Sequence, residues 1–334
     1  MFAKVNSSYL HGIKGIRVDV ECDSASYGLP SFSIVGLGDN AIKESKDRVK
    51  AALKNLDYHF FNHPLTINLA PADMKKEGSH FDLPISLAIL LAAGVIEKNL
   101  DDYLFLGELS LDGRLRSVTG VLSMVEYSVK AGIKKIILPY DNVCEASLIP
   151  EAEVYGFNEL SEVIAFLRGD KEYKSYENKL ELFNESYIEY DADFKDVRGQ
   201  FQARRAAEIS ASGMHNFIMI GSPGSGKTMI AKRMPSILAP MTLQEALETT
   251  KIHSVAGLIK DGGTLINKRP FVSPHHTSSN IAIIGGGTKA LPGNVSIASG
   301  GILFLDEMLE FSRSVLEVLR QPMEDRTVTI ARAG

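Results

Sequence analysis

The segment Gly221, Ser222, Pro223, Gly224, Ser225, Gly226, Lys227 and Thr228 constrains this chain more than any other feature, because it fits GxxxxGKS/T. The motif requires a strand before it and a helix after it. Phe217–Ile220 is a short apolar run that predicts the strand, and Met229 onward predicts the helix. Glycines let the backbone wrap closely round phosphate groups, so that peptide N–H groups and a helix N-terminus meet the negative charge. Lys227 then supplies a mobile cation for β and γ phosphates, and Thr228 a hydroxyl for Mg²⁺, a hard cation that takes oxygen ligands. The expected ligands are ATP and Mg²⁺.

A second motif argues against a chance glycine-rich turn. Gly301-Ile-Leu-Phe-Leu-Asp306-Glu307 predicts an apolar strand ending in two adjacent carboxylates, as a P-loop fold needs beside its phosphates. Alone it would read as a plain strand end with solvated acids. With the P-loop, Asp306 is expected to hold Mg²⁺ through water, and Glu307 to polarise the attacking water as general base.

At 334 residues the chain exceeds what one core supports, so two domains are expected. With 45% hydrophobic and 23% charged residues, the composition is that of a packed globular protein. The most apolar stretch, Leu83–Ile96, contains Pro84 and Ser86 and is too short to span a bilayer, and the N-terminus lacks a signal pattern. These features predict a cytoplasmic protein without membrane contact. The two cysteines, Cys22 and Cys144, have neither metal-site nor disulfide-framework spacing. The net charge of −5 divides into −9 over residues 1–195 and +4 over 196–334. An anionic partner should therefore prefer the C-terminal part, although a bias this small also suits a nucleotide alone.

Residues 1–168 alternate strand-like and helix-like runs, which predicts an α/β domain. Strands are expected at Ser31–Val35, Leu65–Leu69, Tyr103–Leu111 and Lys134–Leu138. Helices are expected from an N-cap at Asp39 or Asn40 to about Leu56, from a cap at Asp82 through Ala93, and over Glu159–Leu167. Residues 169–195 are charged, Tyr-rich and aperiodic, and are read as a linker, with a solvated surface helix as the alternative. Residues 196–334 then form the nucleotide-binding domain.

The second domain resembles the magnesium-chelatase-like AAA+ family, specifically the YifB/ComM type. The similarity runs through Val197-Arg-Gly-Gln200, Gly213-Met-His-Asn216, the P-loop, Arg269–Thr277, Gly285–Gly287, Pro292-Gly293, the acidic strand and Leu319–Pro322. It implies a three-layer α/β ATPase domain, with Gly199 and Gln200 near the adenine and a helix insertion between P-loop and acidic strand. Asn294 stands where the family more often has Glu. His275 and His276 are neighbours without an evident third ligand, so a structural or subunit-contact role is favoured over a metal site. Arg320 reads as a helix-end or interface residue. The family continues past the point matching Gly334 with a further core strand, a sensor residue, an arginine reaching a neighbour's ATP, and a helical lid. The chain is accordingly expected to be a fragment or a truncated product that binds ATP and hydrolyses it poorly.

The first domain resembles the family's Lon-protease-like domain at Ile34–Gly38, Lys43–Ser45, Arg48–Ala52 and Asn68–Gly78. Proteolytic members use a Ser activated by a Lys. Here His80 takes the nucleophile position and Leu122 the Lys position, while Ser79 lies one place off, so the domain is expected to be non-proteolytic. The resemblance implies an ATPase motor forming a ring-shaped homo-oligomer, a hexamer at full length, that remodels DNA by branch migration in recombination or natural transformation. Alternatives are a magnesium-chelatase-type motor subunit and a Lon-like ATP-dependent peptidase. No reader motif for a specific DNA sequence is visible.

Overall fold

A computed structural model describes residues 1–25, 27–59, 62–177, 188–259, 265–287 and 290–329. The chain forms two compact units, Met1–Glu181 with Gly257–Thr264, and Leu182–Ala256 with Leu265–Gly334.

The first unit is built on a hairpin that precedes the strand pattern expected from Ser31. Strands β1 (Phe2–His11) and β2 (Lys14–Ser24) pair antiparallel, with Val5 opposite Val20 and Tyr9 opposite Ile16. In β2 the residues Val18, Val20 and Cys22 are buried, while Arg17, Asp19 and Glu21 between them are not, the period-2 pattern of a sheet with one face on the core. β3 (Phe32–Val35), β4 (Leu65–Ala70), β5 (Tyr103–Phe105), β8 (Lys135–Pro139) and β9 (Glu153–Phe157) complete a seven-stranded sheet of order β3-β4-β2-β1-β5-β8-β9. All its neighbours are parallel except where β2 meets β1 and β4. The strand expected over Tyr103–Leu111 is broken: β5 stops at Phe105, and β6 (Glu108–Leu109) turns away to pair with β7 (Leu115–Arg116).

Helix α1 (Asn40–Asn55) starts where expected, its Asp39 cap accepting from the Ile42 N–H at 2.9 Å. Helix α2 (Asp82–Ala92) has every residue but Leu91 buried, and it packs on β1, β2 and α1. Helix α3 (Val121–Lys130) lies against β2 at Gly15, where a Cβ would meet Ser123 O at 2.6 Å and Met124 Cα at 2.8 Å. The unit also contains α4 (Val143–Ala146) and α5 (Leu160–Arg168), the latter opened by a capping box between Glu159 and Glu162. Cys22 is a free thiol in the core, and burial pushes its pKa up to about 12, well away from thiolate chemistry.

In the second unit the helices are α6 (Phe201–Gly213), α7 (Lys227–Arg233), α8 (Leu243–Val255), α9 (Asn280–Ile284), α10 (Asn294–Ile297), α11 (Arg313–Val318) and α12 (Arg320–Asp325). Strand β10 (Phe271–Val272) runs parallel to β13 (Ile302–Leu303), and β11 (Gly285–Gly286) pairs antiparallel with β12 (Leu291–Pro292). The glycine and proline-glycine motifs at 285–287 and 292–293 thus meet in one short ladder. Phe217–Ile220 does not form the expected strand, because no strand bonds to it among the described residues. Its alternation persists: Phe217 and Met219 pack on a core of Phe194, Val197, Ala207, Ile230 and Met234, while Ile218 and Ile220 are exposed. After α12 no strand is present through Thr329, and residues 330–334 lie outside the described residues.

Asp82 corrects a further expectation. It is the first residue of α2, not its cap, and the preceding Phe81 makes no side-chain cap. Its fully buried carboxylate accepts from Arg48 Nε at 2.6 Å, Arg48 Nη2 at 3.0 Å and the Leu109 N–H at 3.1 Å. Burial raises the Asp82 pKa, with Arg48 opposing, so this ion pair joins α1, α2 and β6 at the cost of desolvating a charge. Removing one partner strands the other. Asp82→Ala is expected to lower unfolding free energy by about 3 kcal/mol in urea denaturation followed by circular dichroism, and a loss under about 1 kcal/mol would contradict the coupling.

Candidate nucleotide and magnesium site

The sequence places the P-loop at the start of α7, and the geometry follows from its glycines. Gly224 (φ 75°) and Gly226 (φ 88°) take left-handed conformations, and Gly226 is the N-cap residue of α7. Lys227 Nζ donates to Gly221 O and Ser222 O, both at 2.9 Å, so the ammonium is folded over the loop it serves. Thr228 Oγ1 donates to Asp306 Oδ2 at 3.0 Å, across 78 positions of sequence. That bond brings the two motifs together.

Gln200 also reaches the loop. It takes a left-handed φ of 50°, caps α6, and its Nε2 donates to Ser225 O at 3.2 Å. Gly199 precedes it at φ 66° with open space where a Cβ would stand. Glu307 is exposed and left-handed (φ 52°), and its N–H donates to Asp306 Oδ1 at 3.1 Å. The peptide thus holds the Asp306 carboxylate from one side while Thr228 holds it from the other. Mg²⁺ typically takes one or two protein oxygens along with phosphate and water oxygens. The adjoining Thr228 hydroxyl and Asp306 carboxylate are a donor pair of that kind, so these residues fit the ion.

The rings of His275 and His276 lie with centroids 4.2 Å apart and planes tilted by 33°, and His276 meets the ring of Phe311 edge-on at 6.5 Å. Among the described residues, no group of three or more His, Cys, Asp or Glu could hold a metal. Arg320 lies at the start of α12 in an exposed ion pair with Glu324 at 2.9 Å. One residue that matters escaped notice in the sequence: Arg269 is buried, with its guanidinium bonded to Ala239 O, Pro240 O, Gly300 O and Glu245. Its only signal was its place at the head of the Arg269–Thr277 motif.

In the first unit, His80 is buried and its Nε2 bonds Ser8 O at 3.0 Å. Leu122 is wholly buried, and its N–H donates to Glu145 Oε1 at 2.9 Å. Ser79 Oγ is bonded to the Glu108 carboxylate. Lys76 is covered completely, and its Nζ finds no hydrogen-bond partner among the described residues. Burial lowers its pKa, with nearby Asp73 opposing.

Comparison with known proteins agrees with both halves of this arrangement. Residues 193–334 match the family described as magnesium chelatase, subunit ChlI, and residues 20–142 match subunit ChlI of Mg-chelatase. The chain is 40% identical over 330 residues to competence protein ComM of Haemophilus influenzae, covering 97% of this chain and 63% of that protein. It is 41% identical over 322 residues to the uncharacterized protein YifB of Escherichia coli, covering 96% and 62% respectively. A shorter similarity, 28% over 156 residues, relates 44% of this chain to 20% of a Lon protease of Fusobacterium nucleatum. The chain thus spans less than two thirds of the length of each of these relatives.

The buried His80 generates a prediction for pH. Burial is the main cause that lowers its pKa to about 4, against an ordinary value of 6.5, so the unfolded chain binds the proton first as pH falls. Stability should drop as pH falls from about 6.5 to about 4, by up to about 3 kcal/mol from this group. Denaturation series across that range should show the loss, and His80→Gln should flatten it. An unchanged slope in His80→Gln would assign the dependence to other groups.

Proposed function

Because the chain belongs to the magnesium-chelatase-like AAA+ family of the YifB/ComM type, we propose that it binds ATP with Mg²⁺ at residues 221–228 and couples ATP hydrolysis to the remodelling of DNA. The observation that carries the ATP reading is the 3.0 Å bond between Thr228 and Asp306, which joins the hydroxyl of one motif to the carboxylate of the other. In this reading the P-loop backbone and Lys227 hold the phosphates, and Thr228 and Asp306 hold Mg²⁺, which would neutralise charge on the phosphate oxygens. Glu307 orients and polarises the attacking water, and Gly199 and Gln200 flank the adenine.

Assembly into a ring-shaped homo-oligomer and action in the cytoplasm belong to the same proposal. No helix among the described residues is long and apolar enough to cross a membrane. DNA as the substrate is supported by the positive balance of residues 196–334 and by similarity to a protein named for competence. Proteolysis is not favoured, because the nucleophile position holds a buried His80 and the base position a buried Leu122, which cannot take a proton.

The test is calorimetry on the wild-type chain and Lys227→Ala. Charged hydrogen bonds contribute roughly 1.5–3 kcal/mol each, so the variant should bind ATP·Mg²⁺ about ten- to a hundredfold more weakly. Equal affinities would remove the phosphate assignment. Branched DNA titrated into the same protein with ATP should bind with a strong inverse dependence on salt, and salt-independent binding or none would remove DNA from the reading.

A further inference from the structure

We propose that Arg269 is a positioning residue for the Mg²⁺ site, acting through Asp306. Its five N–H donors all have partners. Nε donates to Ala239 O at 2.7 Å, Nη2 to Pro240 O at 3.1 Å, and Nη1 to Gly300 O at 2.8 Å. The two remaining bonds go to the Glu245 carboxylate, Nη1 to Oε1 at 3.2 Å and Nη2 to Oε2 at 3.3 Å, in the paired geometry that a planar guanidinium allows and an ammonium does not.

The carbonyl partners flank the two segments that meet at the site, and Glu245 stands in the first turn of α8. Ala239 and Pro240 follow the short 3-10 turn Met234–Ile237 that continues α7, the helix that begins with Lys227 and Thr228. Gly300 comes just before β13, the strand that leads to Asp306. Arg269 itself immediately precedes Pro270, whose carbonyl accepts from Ile302 N–H at 2.8 Å, and Val272 O accepts from Phe304 N–H at 2.8 Å. Gly301 fits closely here, since a Cβ on it would come within 2.0 Å of Pro270 O. One guanidinium therefore ties the loop that follows α7 and its 3-10 turn to Gly300, at the root of the acidic strand. The Thr228–Asp306 bond joins the same two segments at the site end. Arg269 makes none of its bonds to Lys227, Thr228, Asp306 or Glu307, so its influence on an ion must pass through the position of Asp306.

This inference rests on the nucleotide reading, and the experiment separates the two. ADP affinity is measured by calorimetry with Mg²⁺ and with a chelator in its place, for the wild-type chain, Arg269→Lys and Glu245→Ala, with thermal melts in parallel. The wild type should bind ADP more tightly with Mg²⁺. Arg269→Lys should lose about tenfold of that Mg²⁺ benefit while its Mg²⁺-free affinity stays within about threefold, a split that simple destabilisation would not produce. Glu245→Ala loosens the same fork while leaving the three carbonyl bonds, and should lose about threefold of the benefit; it decides the question if Arg269→Lys does not fold. An intact Mg²⁺ benefit in a folded variant overturns the positioning role, as does an equal loss with and without Mg²⁺. A wild type that binds no ADP overturns the nucleotide reading first, and this inference with it.

Discussion

In the proposed reading, the chemistry of the second unit depends on the hydrogen bond from Thr228 to Asp306. That bond requires the P-loop helix and the acidic strand, 78 positions apart, to converge to 3.0 Å. Around it the chain supplies restraint from several directions. Lys227 lies on the carbonyls of Gly221 and Ser222, Gln200 holds Ser225 O, and the Glu307 N–H holds the other oxygen of Asp306. Arg269 then ties the loop that follows α7 and its 3-10 turn to Gly300, just before β13. A site that handles phosphate and Mg²⁺ works by placing fixed charges and dipoles, so rigidity in these supports bears directly on function.

The first unit applies the same physics to a different end. Its buried polar groups tie elements of the fold together: Asp82 is paired with Arg48 between α1, α2 and β6, and His80 is tied to Ser8 O of the central strand β1. The positions that the resemblance to Lon proteases gives to a nucleophile and its base hold His80 and Leu122, both buried. The sheet, with β2 as its one antiparallel member, has a core face lined by Val18, Val20 and Cys22, which shares one apolar core with the buried residues of α1, α2 and α5.

Much of this was legible in the sequence, for identifiable reasons. The P-loop and the Asp306-Glu307 pair combine glycine requirements, a cation and carboxylates in a fixed order, and that chemistry has few other uses. Helix α1 was legible because Asp39 caps it, and α5 because Glu159 and Glu162 form a capping box. The hairpin of β1 and β2 was missed because polar Asn6, Ser7 and Ser8 interrupt its apolar alternation; they are buried through hydrogen bonds to backbone carbonyls such as Tyr103 O, Phe105 O and Ile16 O, which only tertiary structure supplies. Asp82 was read as a cap because an acid before an apolar run is usually one, and its partner Arg48 lies 34 positions away. Arg269 was opaque for a similar reason, since three of its partners are backbone carbonyls that carry no sequence signal.

The central claim is that nucleotide and Mg²⁺ meet the protein at the convergence of the P-loop and the acidic strand. Hydrogen–deuterium exchange with and without ATP·Mg²⁺ tests it most directly, since backbone amides that bind phosphate are shielded from exchange. Slowed exchange concentrated in 221–228 and 304–307, with 1–168 unchanged, is the predicted result. Protection confined to other segments, with both motifs exchanging as before, would contradict it.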